Sequence, residues 1–323
     1  MNSKRNWQLT TKQENNYRNL CRQIDKIFDY RTHHQGKRGT ERYRAACYEF
    51  AKHLAKEYNS SNFRNVRDRH LESFVKASHK DGVSAASIKT DLAGIRKLHA
   101  MLPDTRYKLE DAKIANKKFE LEKRVIIGVD RAWSKEEINL AVLRAQSMGR
   151  NDVEWSIRIA ESTGGRLEEV TALTRSQLRS SLQNGYLGLT TTKGGIPRDI
   201  PLNEFSRGVF REILSDRKVP EKIFVAHGNA HHQSMKSIQN WIFNNREYFT
   251  LTHKIDLQYT KEMKIQKEYK NLTFHGIRHQ YARNQYYDRI RSGQAALQAR
   301  KEVAILLGHG RDTVIKVYLG KGK

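Results

Sequence analysis

The run Leu307-Gly308-His309-Gly310-Arg311-Asp312-Thr313-Val314-Ile315-Lys316-Val317-Tyr318 decides how the chain is read, because it sets a histidine nine residues ahead of a tyrosine. Upstream, His275-Gly276-Ile277-Arg278-His279 sets another histidine three residues before an arginine. These residue types suit phosphoryl chemistry. A tyrosine hydroxyl, with a pKa of about 10, is a poor nucleophile at neutral pH and needs cations to stabilise charge developing on the electrophile. Arginine supplies this well, since its planar fork holds two phosphate oxygens at once. Farther upstream come Thr163-Gly164-Gly165-Arg166-Leu167-Glu168-Glu169-Val170 and Thr192-Lys193-Gly194-Gly195. Two arginines, a lysine, two histidines and a tyrosine therefore follow one another in a definite order.

Composition narrows the partner. The chain has 323 residues, enough for two domains, and its 37% hydrophobic content can supply a core for each. Sixty Lys+Arg against 35 Asp+Glu leave a formal charge of +25, which favours a polyanion. Residues 1–150 carry +14 (32 basic, 18 acidic) and residues 151–323 carry +11 (28 basic, 17 acidic), so both halves are expected to touch nucleic acid. No apolar run approaches the roughly 20 residues that span a bilayer, and no apolar signal segment opens the chain. A cytoplasmic protein is expected, associated with the nucleoid when on DNA. Cys21 and Cys47 have no metal-ligand spacing and read as buried or idle thiols. His227, His231 and His232 lack nearby cysteine or acidic ligands and read as a loop cluster, so no metal is expected.

The order and spacing of the motifs resemble the tyrosine recombinases, the phage-integrase-like family of DNA strand-transfer enzymes. Thr163-Gly164-Gly165-Arg166-Leu167-Glu168-Glu169 fits the segment that supplies the family's first arginine at a helix start, with Leu173 at its usual apolar position. Thr192-Lys193, Arg198 and Pro201-Leu202 reproduce a turn lysine ahead of a Pro-Leu pair. His275, Arg278, His309 and Tyr318 complete the set across residues 134–323. Alone, Arg166 would be a surface arginine, His275 a core or loop histidine and Tyr318 a packing residue; six matched residues in family order are improbable by coincidence.

The resemblance implies a mainly α chain: an α-helical N-terminal core-binding domain and an α+β catalytic domain with a small β-sheet. It implies direct transesterification, in which Tyr318 attacks a phosphodiester and leaves a 3′-phosphotyrosyl link and a free 5′-hydroxyl. Arg166 and Arg278 would hold the non-bridging oxygens, Lys193 would protonate the leaving oxygen, His275 would help remove the tyrosine proton, and His309 would donate to the phosphate. Because the covalent link conserves the bond energy, no cofactor, ATP or metal is expected, in agreement with the absence of a P-loop signature. Double-stranded DNA is the implied partner, with self-association into a tetrameric synapse and accessory DNA-bending proteins.

Along the chain, domains are expected at 1–125 and 134–323, joined by a linker at 126–133. Residues 1–39 read as a flexible arm or an extra helix, ending in the loop-like His33-His34-Gln35-Gly36-Lys37-Arg38-Gly39. Helical periodicity follows from Thr40, with Tyr43, Ala46, Phe50 and Leu54 on one face. Ile88, Leu92, Ile95, Leu98 and Leu102 mark a second helix after the Gly82-Val83-Ser84 break. Its Lys89, Arg96 and Lys97, together with Arg198, are candidate DNA contacts. Ser134 and Glu137 have capping-box spacing ahead of Ile138, Val142 and Ala145. A small hairpin is expected between Tyr186 and Pro201 with Lys193 at its turn, and Thr252 to Lys270 reads as an elaborated loop or extended helix.

Only Leu319-Gly320-Lys321-Gly322-Lys323 follows the tyrosine, shorter than the docking helix many family members carry, so either subunits engage through another element or a weaker assembly is expected. The resemblance favours a site-specific recombinase, the integrase of a mobile element. A type IB topoisomerase shares the chemistry without synapsis. A DNA-binding regulator on a degenerate recombinase fold is disfavoured because none of the six positions is lost, and an RNA-binding protein because no RNP-type aromatic motif is present.

Overall fold

Thr10 opens the first helix by accepting a hydrogen bond from the Gln13 amide, while the Gln13 side chain returns to the Thr10 N–H. This helix, α1 (Thr11–Ile27), buries Leu20 and Ile24 completely. It belongs to the first of two compact units, Met1–Val125 and Ile126–Lys323. The computed structural model describes residues 8–28, 37–121, 130–189, 197–225, 230–251, 255–259, 265–269 and 272–320.

In the first unit, α1 is followed by α2 (Lys37–Tyr58), α3 (Asp68–Lys80), α4 (Ala85–Met101) and α5 (Ala112–Lys118). The α2 helix starts within the stretch expected to be a loop, because Gly39 lies inside its first turns rather than ending it. Ala46, Phe50 and Leu54 form its buried stripe. Ser84 caps α4, whose Ile88, Leu92, Ile95 and Leu98 are inside. Gly94 lets α4 lie close to α2, since a Cβ there would stand 3.0 Å from the Tyr43 Cα. Phe50 meets Phe74 edge-on, with ring centroids 5.3 Å apart. Each such side chain contributes roughly 1.5–3 kcal/mol on burial.

The second unit begins its helices with α6 (Lys135–Ser147), where Ser134 and Glu137 form the expected capping box. Around the central α7 (Asn151–Thr163) pack α6, α10 (Glu204–Ser215) and α12 (Phe274–Arg291). Short α8 (Leu167–Thr171) and α9 (Arg175–Asn184) lead into an antiparallel hairpin of β1 (Tyr186–Leu189) and β2 (Arg198–Pro201), in register Leu189↔Arg198 and Tyr186↔Pro201. The remaining helices are α11 (His231–Asn245), α13 (Ala296–Leu306) and α14 (Ile315–Leu319).

A second hairpin, β3 (Ile255–Tyr259) with β4 (Ile265–Tyr269), corrects the loop or extended helix expected there. Ile, Leu and Tyr alternate with polar residues in Ile255-Asp256-Leu257-Gln258-Tyr259, a period of two that suits a strand. The chain is thus mainly helical with small antiparallel sheets. Among the described residues no helix is long and apolar enough to cross a membrane, and no group of acidic, histidine and cysteine side chains could hold a metal ion.

Candidate active site

Two glycines fix the backbone around the site. Gly164 ends α7 in the left-handed region (φ 63°), and a Cβ on it would fall 2.4 Å from the Tyr281 ring. Only glycine permits both the turn and the approach of α12. Gly276 sits under the carbonyl of Arg131, where a Cβ would be 2.2 Å away, and the Trp133 indole donates to the Thr273 carbonyl at 2.9 Å. The first turn of α12 is pinned in this way, and with it His275 and Arg278.

Arg278 is 1% exposed. One terminal nitrogen donates to the Gly164 carbonyl at 2.6 Å, the other to the Leu307 carbonyl, and Nε lies 3.4 Å from the Tyr318 hydroxyl. Burial pulls its pKa down to about 10, with the neighbouring Tyr318 opposing the shift, so the guanidinium remains charged at neutral pH. The Tyr318 hydroxyl is also 2.9 Å from Nε2 of His309, and the tyrosine is 4% exposed. Burial first, then Arg278 and Arg166, lower the His309 pKa to about 4, which leaves a neutral imidazole. One ring nitrogen of a neutral imidazole accepts a proton.

Arg166 is the N-terminal cap residue of α8. Its terminal nitrogen and its backbone N–H both bond Glu169, each at 2.8 Å. Glu169 is 2% exposed and takes a second arginine, Arg198, at 2.9 and 2.5 Å across its two oxygens. Burial alone would raise the Glu169 pKa; hydrogen bonds from Arg198 and Arg166 hold it below the ordinary carboxylate value. Arg198 thereby corrects its expected place on the DNA-facing surface: it is 7% exposed and ion-paired. Its guanidinium also backs the turn before His309, since a Cβ on Gly308 (φ 63°) would stand 3.1 Å from it. Sequence shows a cation at 198; the carboxylate that claims it lies 29 residues upstream.

The structure brings Arg166, His275, Arg278, His309 and Tyr318 together. His275 is exposed, its ring centroid 5.9 Å from that of Tyr318 against 5.6 Å for His309, whose Nε2 lies 2.9 Å from the hydroxyl. His279, given no role by the motif reading, packs its ring 4.5 Å from Tyr318 and is 3% exposed. Lys193 lies outside the described residues, as does His227. His231 stands at the start of α11 and bonds the Thr171 hydroxyl at 2.7 Å. In the first unit, Lys89 and Lys97 are half-buried on α4, with the Lys97 ammonium 5.8 Å from the Tyr43 ring. Arg96 stands in a recess of about 650 Å³ with His99, Arg106 and Lys108, where burial lowers its pKa.

The phage integrase family matches residues 136–321, and its N-terminal SAM-like domain matches residues 37–105. The chain belongs to the phage integrase family. As a tyrosine recombinase it is a DNA-strand-transferring, site-specific recombination enzyme that binds DNA. Among solved structures, the Tn1549 transposon integrase in complex with transposon right-end DNA is similar at 15% identity and a TM-score of 0.60, over 94% of this chain and 95% of that one. A lambda integrase dimer bound to a COC′ core site is similar at 17% identity and 0.60, over 93% and 95%. A lambda integrase tetramer bound to a Holliday junction is similar at 14% and 0.62, over 94% and 79%. At these identities the likeness of the integrase-family chain to those structures is one of fold. Comparison with curated protein sequences finds no match.

Proposed function

We propose that this recombinase is the integrase of a mobile element and that Tyr318 is its nucleophile. The supporting observation is the Tyr318 hydroxyl lying 2.9 Å from the His309 Nε2 and 3.4 Å from the Arg278 Nε. A neutral imidazole there accepts the phenolic proton as the hydroxyl attacks. The Tyr318 oxygen then bonds the phosphorus as the bond to the 5′-oxygen breaks, giving a 3′-phosphotyrosyl link. Arg166 and Arg278 stabilise the extra charge on the non-bridging oxygens. The leaving 5′-oxygen needs a proton, which Lys193 supplies on the strength of its motif. His275, exposed on the same cavity as Arg166, would donate to the phosphate. This proposal exchanges the tasks expected of the two imidazoles, because the His309 Nε2 lies 2.9 Å from the hydroxyl.

Further parts of the proposal are DNA binding by both units, in keeping with the even spread of charge, a tetrameric synapse with accessory DNA-bending proteins, and a cytoplasmic, nucleoid-associated location. The test is covalent trapping on a nicked suicide substrate followed by denaturing electrophoresis. Tyr318→Phe removes one hydroxyl and no charge, so it abolishes the adduct and leaves binding nearly intact. A persistent adduct in this variant would move the nucleophile elsewhere, with Tyr286 and Tyr287 the next candidates.

A further inference from the structure

A cavity of about 500 Å³ opens beside the catalytic residues, and Arg166 and His275 form one side of it. The other side belongs to α11 and the turn after it, through Gln239, Asn240, Phe243 and Arg246. Nothing in the proposed chemistry uses that second side. Its composition is one-signed: α11 contains no aspartate or glutamate, and Glu168 is the single carboxylate among the described lining residues.

Arg246 is held there with unusual care for a surface cation. Its carbonyl accepts hydrogen bonds from the Phe249 amide at 3.2 Å, the Thr250 amide at 2.9 Å and the Thr250 hydroxyl at 2.7 Å. Its guanidinium carbon lies 4.6 Å from the centroid of the Phe243 ring, a cation–π brace. Phe243 is 64% exposed, a large apolar surface left at the rim of a cleft. Arg246 makes no ion pair among the described residues, and its buried Nε has no hydrogen-bond partner there. Burial alone accounts for the lowering of its pKa, with no carboxylate opposing it. A braced, half-buried guanidinium whose Nε is buried with no hydrogen-bond partner among the described residues is a costly arrangement unless an anion completes it.

We propose that Arg246, braced on Phe243, binds a backbone phosphate of the DNA strand next to the phosphate that Tyr318 attacks. The inference rests on the assignment of Arg166 and His275 to the scissile phosphate. Phosphates recur every 3.4 Å or so of helix axis along each strand, so a strand whose scissile group reaches Arg166 and His275 continues through the same cavity. Arginine's fork suits a phosphate, and Phe243 offers the adjoining deoxyribose an apolar face. Arg246 therefore positions the strand and takes no part in bond making.

The experiment uses the full chain carrying Tyr318→Phe, so that only binding is read. A duplex selected from a random pool by this protein is remade with single neutral methylphosphonates at each position. With Arg246 present, one phosphate flanking the cleaved position should cost roughly tenfold in affinity when neutralised. Arg246→Gln should bind the unmodified duplex roughly tenfold more weakly, show no further loss at that phosphate, and flatten the log–log salt slope by about 0.9. Arg246→Lys should keep the slope and recover only part of the affinity. If Arg246→Gln loses the same factor at every methylphosphonate, keeps the full slope, or instead suppresses the effect of a base change, the assignment is overturned. Since no cleavage is involved, this outcome is separate from failure of covalent trapping in the intact chain.

Discussion

Glu169→Gln should be among the most damaging single changes in the second unit, and its cost can be worked from the geometry. The Glu169 and Arg198 side chains are 1% and 4% exposed, so the substitution leaves a guanidinium buried without its counter-charge. Removing one partner of such a pair costs about 3–5 kcal/mol. At about 2–4 °C per kcal/mol for a unit of this size, the melting transition should fall by roughly 6–20 °C. Adding Arg198→Met removes the stranded charge and fills its volume, so the double variant should recover most of that loss. Cleavage should not recover with it, because Arg166 still lacks the carboxylate that braces its guanidinium at 2.8 Å. Thermal unfolding of the two single variants and the double, alongside covalent trapping, separates the two effects. A loss below about 1 kcal/mol in Glu169→Gln, or a double variant as unstable as the two single losses added, would refute the buried-pair reasoning.

Arg278→Lys and Arg166→Lys keep the charge but lose the fork, so covalent trapping should fall by about 10²–10³ while affinity changes far less; equal losses in both would make them ordinary phosphate anchors. His279 and His309 are held neutral in the folded chain, with pKa values of about 4 against an unfolded value near 6.5. The folded state then binds fewer protons than the unfolded one between those values, so stability should decline as pH falls from about 6.5 to about 4. His279→Asn should make the measured melting temperature less steep in that window. Cleavage and rejoining should persist in excess EDTA without ATP, because charge comes from arginine and the bond energy is stored in the phosphotyrosine; loss on chelation with rescue by magnesium or manganese would replace the mechanism by that of a metal-dependent nuclease.

Local patterns carried the fold a long way. The Ser134–Glu137 spacing reads as a capping box because both hydrogen bonds lie within one turn, and the Ile88 to Leu98 stripe reads as a helix because its period needs nothing from elsewhere. The strands at 255–259 and 265–269 do not stand out in the sequence, because lysine and glutamine dominate their surroundings and obscure a two-residue alternation. At the site, Arg166 and Glu169 could be associated from sequence, being three residues apart. The capture of Arg198 by Glu169, the hydrogen-bond distance between His309 and the tyrosine hydroxyl, and the bracing of Arg246 on Phe243 all depend on side-chain direction. Charge and spacing do not encode that.

Tyr318 packs with Tyr281, Ala282, Val303, Ala304, Leu307 and Ile315 in a small apolar cluster separate from the large core built on α6, α7 and α10. It rides on a five-residue helix, α14, whose neighbours are α12, α13 and the 3-10 turn before it. The proposed nucleophile is therefore seated in a small cluster of its own. Displacing it would loosen that cluster and the contacts with His309, Arg278, Arg283 and His279, none of which belongs to the large core. Substitutions lining this cluster can therefore alter how the tyrosine is presented, at a cost in stability set by the buried side chain that is lost.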